Sequence, residues 1–279
     1  MTVERFRAPA KLNLFLHVLG RRADGYHELQ TLFQLVDLCD EIQIEVTADP
    51  AIRRDPVPSD ALLLRLTDAE DLTVRAARLL QQSGGCSRGA RIHVSKHIPA
   101  GGGLGGGSSD AATVLLALNR LWDLHYSRER LAALGLALGA DVPVFVMGRN
   151  AWGEGRGEKL TPVELPPRWY VIVCPDVAVS TAEIFQAAEL TRDSPPITMR
   201  AFQAGQGRND CEPVVRARYR DVDAALGWLQ GRAPTARLTG TGACVFAGFE
   251  SEAAARAVAA DVPLRCKVFV ARSLERSPL

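Results

Sequence analysis

The stretch Pro99-Ala-Gly-Gly-Gly-Leu-Gly-Gly-Gly-Ser-Ser-Asp110 carries the densest chemistry in the sequence. Six of the seven positions from Gly101 to Gly107 are glycine. A backbone without Cβ atoms can take positive φ and approach a ligand closely. It leads into Ala111–Trp122, a segment rich in Ala and Leu with no Gly or Pro. The loop therefore opens a helix, whose free N–H groups and dipole favour an anion. The hydroxyls of Ser108 and Ser109 add donors, or oxygen ligands for a magnesium ion carried on phosphate. A phosphate cradle accounts for all of this. A flexible linker fits poorly, because so many glycines carry a large entropy cost.

The loop alone does not choose among phosphate-binding folds. Gly101, Gly103 and Gly106 satisfy G-x-G-x-x-G, as in a dinucleotide-binding oxidoreductase. Against that, Asp123 ends the helix, whereas the ribose-binding acid of such a site closes the next strand. Gly102 and Gly107 have P-loop spacing, yet Ser108 stands where a P-loop has lysine. Four other places offer polar groups. Lys11 and Asn13 share one face of a strand and could enter a cleft, although a solvated face suits the pair better when it is read alone. Asp141 lies between a helix end and the apolar run Val142–Val146, as a turn residue or a functional acid. The segment Thr239-Gly240-Thr241-Gly242 opens into a strand, either as a second loop over phosphates or as a tight hairpin or bulge. The turn Asp24–His27 presents Tyr26 and His27, as a plain surface turn or as a pair that stacks on a planar ligand.

These groups need elements to hold them. Leu12–Val18 is apolar enough for a strand, followed by a turn with an Asp-Gly step at Arg21–Gly25. Ile42, Ile44 and Val46 alternate with polar residues, and so do Ile92 and Val94 just before the glycine loop; both read as strands. Leu72–Leu80 has helical spacing and stops before Gly84-Gly85. Ser108, Ser109 and Asp110 stand where N-caps of the helix Ala111–Trp122 belong. Ser127 caps a helix Arg128–Leu138 that Gly139 ends, and Pro56-Val-Pro58 marks a loop. Gly148, Gly153, Gly155 and Gly157, then Pro162, Pro166 and Pro167, mark a boundary between domains at 1–160 and 161–279. The second domain offers strands at Tyr170–Cys174, Ala243–Ala247 and Lys267–Val270, and helices at Ala182–Leu190, Val215–Leu229 and Glu252–Ala260. The expectation is an α+β protein of two domains.

Composition narrows the partners. The 279 residues carry 33 Lys+Arg against 32 Asp+Glu, a net charge of +1, so no global basic footprint for nucleic acid exists. An anionic small molecule needs only a local positive site. The six cysteines are scattered without a C-x-x-C pair, which argues against zinc and redox motifs. They read as small buried hydrophobes in a reducing compartment. Neither a signal-peptide pattern nor an apolar run of about 18 residues occurs, so a cytoplasmic location is expected, with no membrane partner.

Taken together, the pieces resemble the GHMP kinases nearly end to end. Pro9-Ala-Lys-Leu-Asn-Leu14 is similar to the family's first motif, Pro99–Ser109 to its second and Leu238–Phe246 to its third. Arg22–Phe33, Leu138–Phe145 and Asn209-Asp-Cys-Glu212 resemble the branch that acts on 4-diphosphocytidyl-2-C-methyl-D-erythritol. The resemblance implies an N-terminal domain with a left-handed β-α-β crossover, a ferredoxin-like C-terminal domain and a site between them. It implies transfer of the γ-phosphoryl of ATP, with Mg2+, to the 2-hydroxyl of the methylerythritol unit. By matching positions, Asp141 would accept or orient the hydroxyl proton, and Lys11 would sit beside it and polarise the hydroxyl. Pro99, Ala100, Gly101, Gly102, Gly103, Leu104, Gly105, Gly106, Gly107, Ser108 and Ser109 would hold ATP, with Lys96 near the nucleoside. Ser108 or Ser109 would meet the metal. Tyr26 and Phe185 would flank the cytosine, while His27 and Asn13 would hydrogen-bond the cytidine end; Thr239, Gly240, Thr241 and Gly242 would lie near the phosphates. Two positions depart from the family pattern. Asp110 stands where asparagine is common, either pointing away from the phosphates or helping to hold Mg2+, and Arg156 stands where a small apolar residue is frequent. Three other readings remain: a GHMP kinase for a homoserine- or mevalonate-like alcohol, an NAD(P) oxidoreductase, and a nucleotide-binding module without catalysis.

Overall fold

The computed structural model describes residues 3–55, 67–262 and 265–279; the loop expected at Pro56–Pro58 lies outside them. Strands β1 (Val3–Arg21) and β2 (His27–Thr47) form a long antiparallel hairpin. They turn through Arg22–Tyr26, where Gly25 supplies a φ of 85°. Both strands run further than the apolar cores Leu12–Val18 and Ile42–Val46 suggest, because β2 is covered on several sides. It pairs with β1, with β4 (Gly89–Ser95) and with β5 (Ala151–Gly155). The first sheet has the order β3-β4-β2-β5-β6, with β1 on β2, where β3 is Ile52–Arg54 and β6 is Lys159–Pro162. Its core packs against α1 (Leu72–Gly84), α2 (Gly106–Leu121), α3 (Arg128–Leu136) and α4 (Val142–Met147).

Local chemistry sets these helices. Asp71 caps α1 by accepting from the N–H groups of Thr73 and Val74, and Gly85 closes it in the left-handed region. Leu80, Val114, Leu115 and Leu118 are fully buried between α1, α2 and the sheet. Each contributes about 1.5–3 kcal/mol by leaving water.

The second sheet is antiparallel, in the order β10-β7-β9-β8, with β7 at Trp169–Pro175, β8 at Arg237–Leu238, β9 at Val245–Phe249 and β10 at Cys266–Arg272. Helices α5 (Thr181–Gln186), α6 (Met199–Gln203), α7 (Glu212–Arg218), α8 (Arg220–Gln230) and α9 (Glu252–Ala260) complete this half. A small apolar cluster joins the two sheets. Ala10, Leu12 and Val36 pack there with Tyr170, Ile172 and Phe246, and Leu104 of the glycine loop is part of it. The loop is thereby held at the seam. Among the described residues no helix is long and apolar enough to cross a membrane.

Several expected elements differ in extent. The helix after the glycine loop begins at Gly106, not Ala111, so Ser108, Ser109 and Asp110 lie inside it and cap nothing. Gly105 is the N-cap, in the left-handed region at φ 74°, a conformation that composition alone hides. The expected helix Val215–Leu229 is two helices, because Tyr219 is extended at φ −126° and ψ 94°. Apolar spacing continues across that break through Val215, Val222 and Leu226, all buried, so periodicity cannot report it. The helix expected at Ala182–Leu190 stops at Gln186, since Ala187 leaves the helical region at ψ 132°. The strand expected from Ala243 starts at Val245, because the N–H groups of Ala243 and Cys244 bond Gly101 and Gly102. The reading of every cysteine as a free buried hydrophobe is also corrected. Cys174 and Cys244 form a disulfide, while Cys39, Cys86, Cys211 and Cys266 are free.

Candidate active site

A cleft of about 560 Å3 lies where the two sheets meet, and Lys11 and Asp141 stand together in it. β1 places Lys11 and Asn13 on one side of the strand, between register shifts at Pro9/Ala10 and Asn13/Leu16. Lys11 is 3% exposed, so its ammonium must find partners. Its Nζ lies 3.3 Å from Asp141 Oδ2 and donates to Asn13 Oδ1. Asn13 in turn donates from Nδ2 to Thr31 Oγ1 at 2.8 Å and from its backbone N–H to Thr239 Oγ1 at 3.0 Å. The solvated-face reading of Lys11 and Asn13 is therefore overturned. Asp141 is the N-cap residue of α4, its own side chain capping nothing, so the carboxylate is left for the cleft. That side chain is 33% exposed. An aspartate at the cleft wall, beside a buried lysine, can take or orient a proton on a bound hydroxyl.

The glycine loop borders this pair. Gly101, Gly103 and Gly105 have φ of 67°, 75° and 74°, which L side chains rarely adopt. A Cβ on Gly105 would come within 2.8 Å of the Phe145 ring and 3.2 Å of Lys11 Cε. Leu104 is the one residue of the run that needs a side chain, since it is fully buried and its carbonyl accepts the Lys11 N–H at 3.0 Å. The first ladder bond of α2 runs from Ser109 N to Gly105 O at 2.9 Å. The N–H groups of Gly106, Gly107 and Ser108 precede it and have no intrahelical acceptor. With the positive end of the helix dipole, they form an anion site on the cleft wall. Ser108 lines the cleft; Ser109 does not, being fully buried with its hydroxyl unpartnered among the described residues. Gly240 and Thr241 also line it, while Thr239 sits behind, its hydroxyl donating to Gly103 O at 3.3 Å. Gly242 does not reach the cleft lining.

Beneath the loop lies an ion cluster that sequence reading only half found. Lys96 lines the cleft, but its ammonium is bound by Asp40 and by Asp110 Oδ2, the latter at 2.7 Å. Asp40 is fully buried and accepts from the Ile98 N–H at 2.9 Å. It lies in a mixed stretch of β2 with Asp37 and Glu41 close by, so nothing in the sequence marks it out from the other acids. Asp110 turns to Lys96 rather than to the loop's N–H groups, and its second oxygen has no partner among the described residues. Burial pushes the Asp110 carboxyl up to about 7, with Asp40 adding to the effect and Lys96 opposing it. Burial pulls Lys96 down, yet its two carboxylates outweigh this and its net shift is upward.

At the other end the wall is aromatic. His27 and Phe185 stack, with ring centroids 5.1 Å apart and planes 25° from parallel. Phe185 lines the cleft, whereas His27 is behind it and accepts from Arg192 Nε at 3.1 Å. Burial, then the charges of Arg192 and Arg21, push the His27 imidazole below its ordinary value. Tyr26 is 55% exposed, and the Arg156 guanidinium carbon lies 4.6 Å from its ring centroid. Arg156 itself lines the cleft. Thr181 at the start of α5 bonds Thr241 across 2.9 Å, so the aromatic end is tied to the second glycine turn.

The comparisons with known proteins agree with one another. The chain matches GHMP kinases N terminal domain over residues 71–149 and GHMP kinases C terminal over 191–268. A protein of Alkalilimnicola ehrlichii named 4-diphosphocytidyl-2-C-methyl-D-erythritol kinase is 60% identical, over 98% of this chain and 91% of its own. One of the same name from Halorhodospira halophila is 56% identical, over 98% and 93%. A crystal structure of 4-(cytidine 5'-diphospho)-2C-methyl-D-erythritol kinase aligns with a TM-score of 0.81 at 33% identity, covering 97% of this chain and 99% of that one. Homoserine kinase of Cytophaga hutchinsonii aligns over 99% of this chain and 96% of its own, at a TM-score of 0.72 and 19% identity, a likeness of fold alone.

Proposed function

The chain belongs to the GHMP kinase family, and on that premise we propose that it transfers the γ-phosphoryl group of ATP to the 2-hydroxyl of 4-diphosphocytidyl-2-C-methyl-D-erythritol. It is an ATP-dependent phosphotransferase with the two-domain α+β fold of that family, acting on a small-molecule alcohol. The observation that carries the reading is the Lys11–Asp141 pair, 3.3 Å apart and opening beside the free N–H groups of the glycine loop. Relatives at 56% and 60% identity bearing the name of that reaction support the acceptor.

Phosphoryl transfer asks a protein mostly for positioning and charge stabilisation. The N–H groups of Gly106, Gly107 and Ser108 would hold donor phosphates. Asp141 would orient the acceptor hydroxyl and take its proton as the bond to phosphorus forms. Lys11, fixed by Asn13, would balance the negative charge that gathers there. The oxygens of Ser108 and Asp141 line the cleft and are hard donors that suit Mg2+, which supplies charge neutralisation on the phosphates when bound. Phe185 and Tyr26 would flank the cytosine, with His27 at its polar edge and Lys96 towards the nucleoside of the donor. Domains of 1–160 and 161–279 and a cytoplasmic location belong to the same reading.

A coupled ADP-release assay tests it, with ATP, Mg2+ and the cytidyl acceptor beside homoserine, mevalonate and galactose. The expected result is release with the cytidyl compound alone. Release with a different alcohol only would refute the acceptor while leaving the family intact.

A further inference from the structure

Arg156 lies in the turn between β5 and β6, flanked by Gly155 at φ 73° and Gly157 at φ 106°. Glu158 Oε2 accepts the Arg156 backbone N–H at 2.5 Å and fixes the turn. The guanidinium, by contrast, makes no hydrogen bond or ion pair among the described residues. Its contact is the Tyr26 ring, and a ring face uses none of its N–H donors. Neighbouring arginines are spent. Arg22 pairs with Asp24 and Glu28, and Arg192 is bound to His27 and to the carbonyls of Phe185, Ala187 and Leu190. Asp24 feels the Arg156 charge only weakly, since its main hold is the hydrogen bond from Arg22. A half-buried cation with free donors, on the wall of a cleft, is a site for an anion.

The order of groups along the wall says which anion. Lys11 Nζ lies 5.8 Å from the Phe33 ring centroid, and a Cβ on Gly157 would touch the far edge of that ring at 3.5 Å. Arg156, the neighbour of Gly157, lines the cleft as well, and its guanidinium lies over the Tyr26 ring just outside the lining. Residue 156 thus lies between the Phe33 ring beside Lys11, which its neighbour Gly157 approaches, and the aromatic Tyr26, which its guanidinium covers. We propose that Arg156 is a specificity residue for the acceptor and binds the diphosphate that links its base end to its alcohol end. This rests on the cytidyl-diphosphate reading of the acceptor given above.

The test is equilibrium binding of CDP and of cytidine, with the glycine loop filled by a non-hydrolysable ATP analogue. It compares the unaltered protein with Arg156→Ala and Arg156→Lys, and the acceptor KM is measured alongside. Loss of a charge-assisted contact is expected to weaken CDP by about 10-fold or more in Arg156→Ala. Cytidine affinity should stay within about twofold, because a nucleoside lacks the group that Arg156 binds. Arg156→Lys should fall between, since it keeps the charge and loses the fork. Equal losses for CDP and cytidine would overturn the proposal and make Arg156 a brace for Tyr26. Unchanged CDP affinity and acceptor KM in Arg156→Ala would also overturn it while the acceptor reading stood. An unaltered protein that neither binds CDP nor turns over the cytidyl acceptor would remove the acceptor reading itself.

Discussion

The two ends of the cleft are built on different principles. The glycine-loop end is backbone, set on buried supports: Leu104 and Asp40 are fully buried and Asp110 nearly so. The aromatic end is side chain and partly open, with Tyr26 at 55% exposure and Phe185 and Arg156 half-buried. Held N–H groups give strength against a phosphate only if their directions are fixed, so the fold invests burial and even costly buried ions in them. Discrimination between acceptors needs contact area and donors of the right shape, which exposed side chains supply without reshaping the core. Lys11 and Asp141 stand at the junction, where a fixed donor and a sorted acceptor have to meet.

Breaking the junction should cost most. Asp141→Asn is expected to lower kcat by about 10^2–10^4-fold while nucleotide affinity stays near normal, measured by steady-state kinetics and ADP titration. Turnover at the original rate would remove Asp141 from the chemistry. A change at the backbone end should come next. Gly105→Val would place a branched side chain at φ 74° against Phe145 and Lys11, and both ADP affinity and thermal stability should fall. Unaltered ADP binding would move the phosphate site elsewhere. At the open end, Tyr26→Ala should raise the acceptor KM by about 10-fold, with ATP KM and thermal stability nearly unchanged. Equal effects on both substrates would erase the division between the ends.

The smallest effect separates the supports from the site. Burial holds the Asp110 carboxyl at about 7 in the folded protein, against about 3.9 when unfolded. The folded state therefore keeps a proton that the unfolded chain releases between those values. The associated stability is complete below about pH 4 and is lost as pH rises to and through about 7. Asp110→Asn should remove that dependence, read as urea midpoints at pH 5 and pH 8. Parallel slopes in both proteins would mean that Asp110 is not strained by burial.

What could be read from the sequence follows the same division. The glycine loop was legible because only glycine suits repeated positive φ, and the helix after it followed from composition. The helix Glu252–Ala260 was legible with its bounds, since Ser251 caps it through the Ala254 N–H. The Lys11–Asp141 contact was not readable from spacing, because it depends on how β1 and α4 pack; only the family resemblance pointed to it. Asp40 and Arg156 carried no local pattern. One is an acid beside Asp37 and Glu41 on the same strand and the other a lone cation in a glycine turn, and their roles come from what the fold brings beside them.

The most direct test is a crystal structure of the ternary complex with a non-hydrolysable ATP analogue and 4-diphosphocytidyl-2-C-methyl-D-erythritol. The account predicts the 2-hydroxyl within about 2.6–3.2 Å of an Asp141 carboxylate oxygen, facing the γ-phosphate held at the start of α2. An acceptor bound with that hydroxyl away from Asp141, or phosphates bound away from Gly106–Ser108, would contradict it.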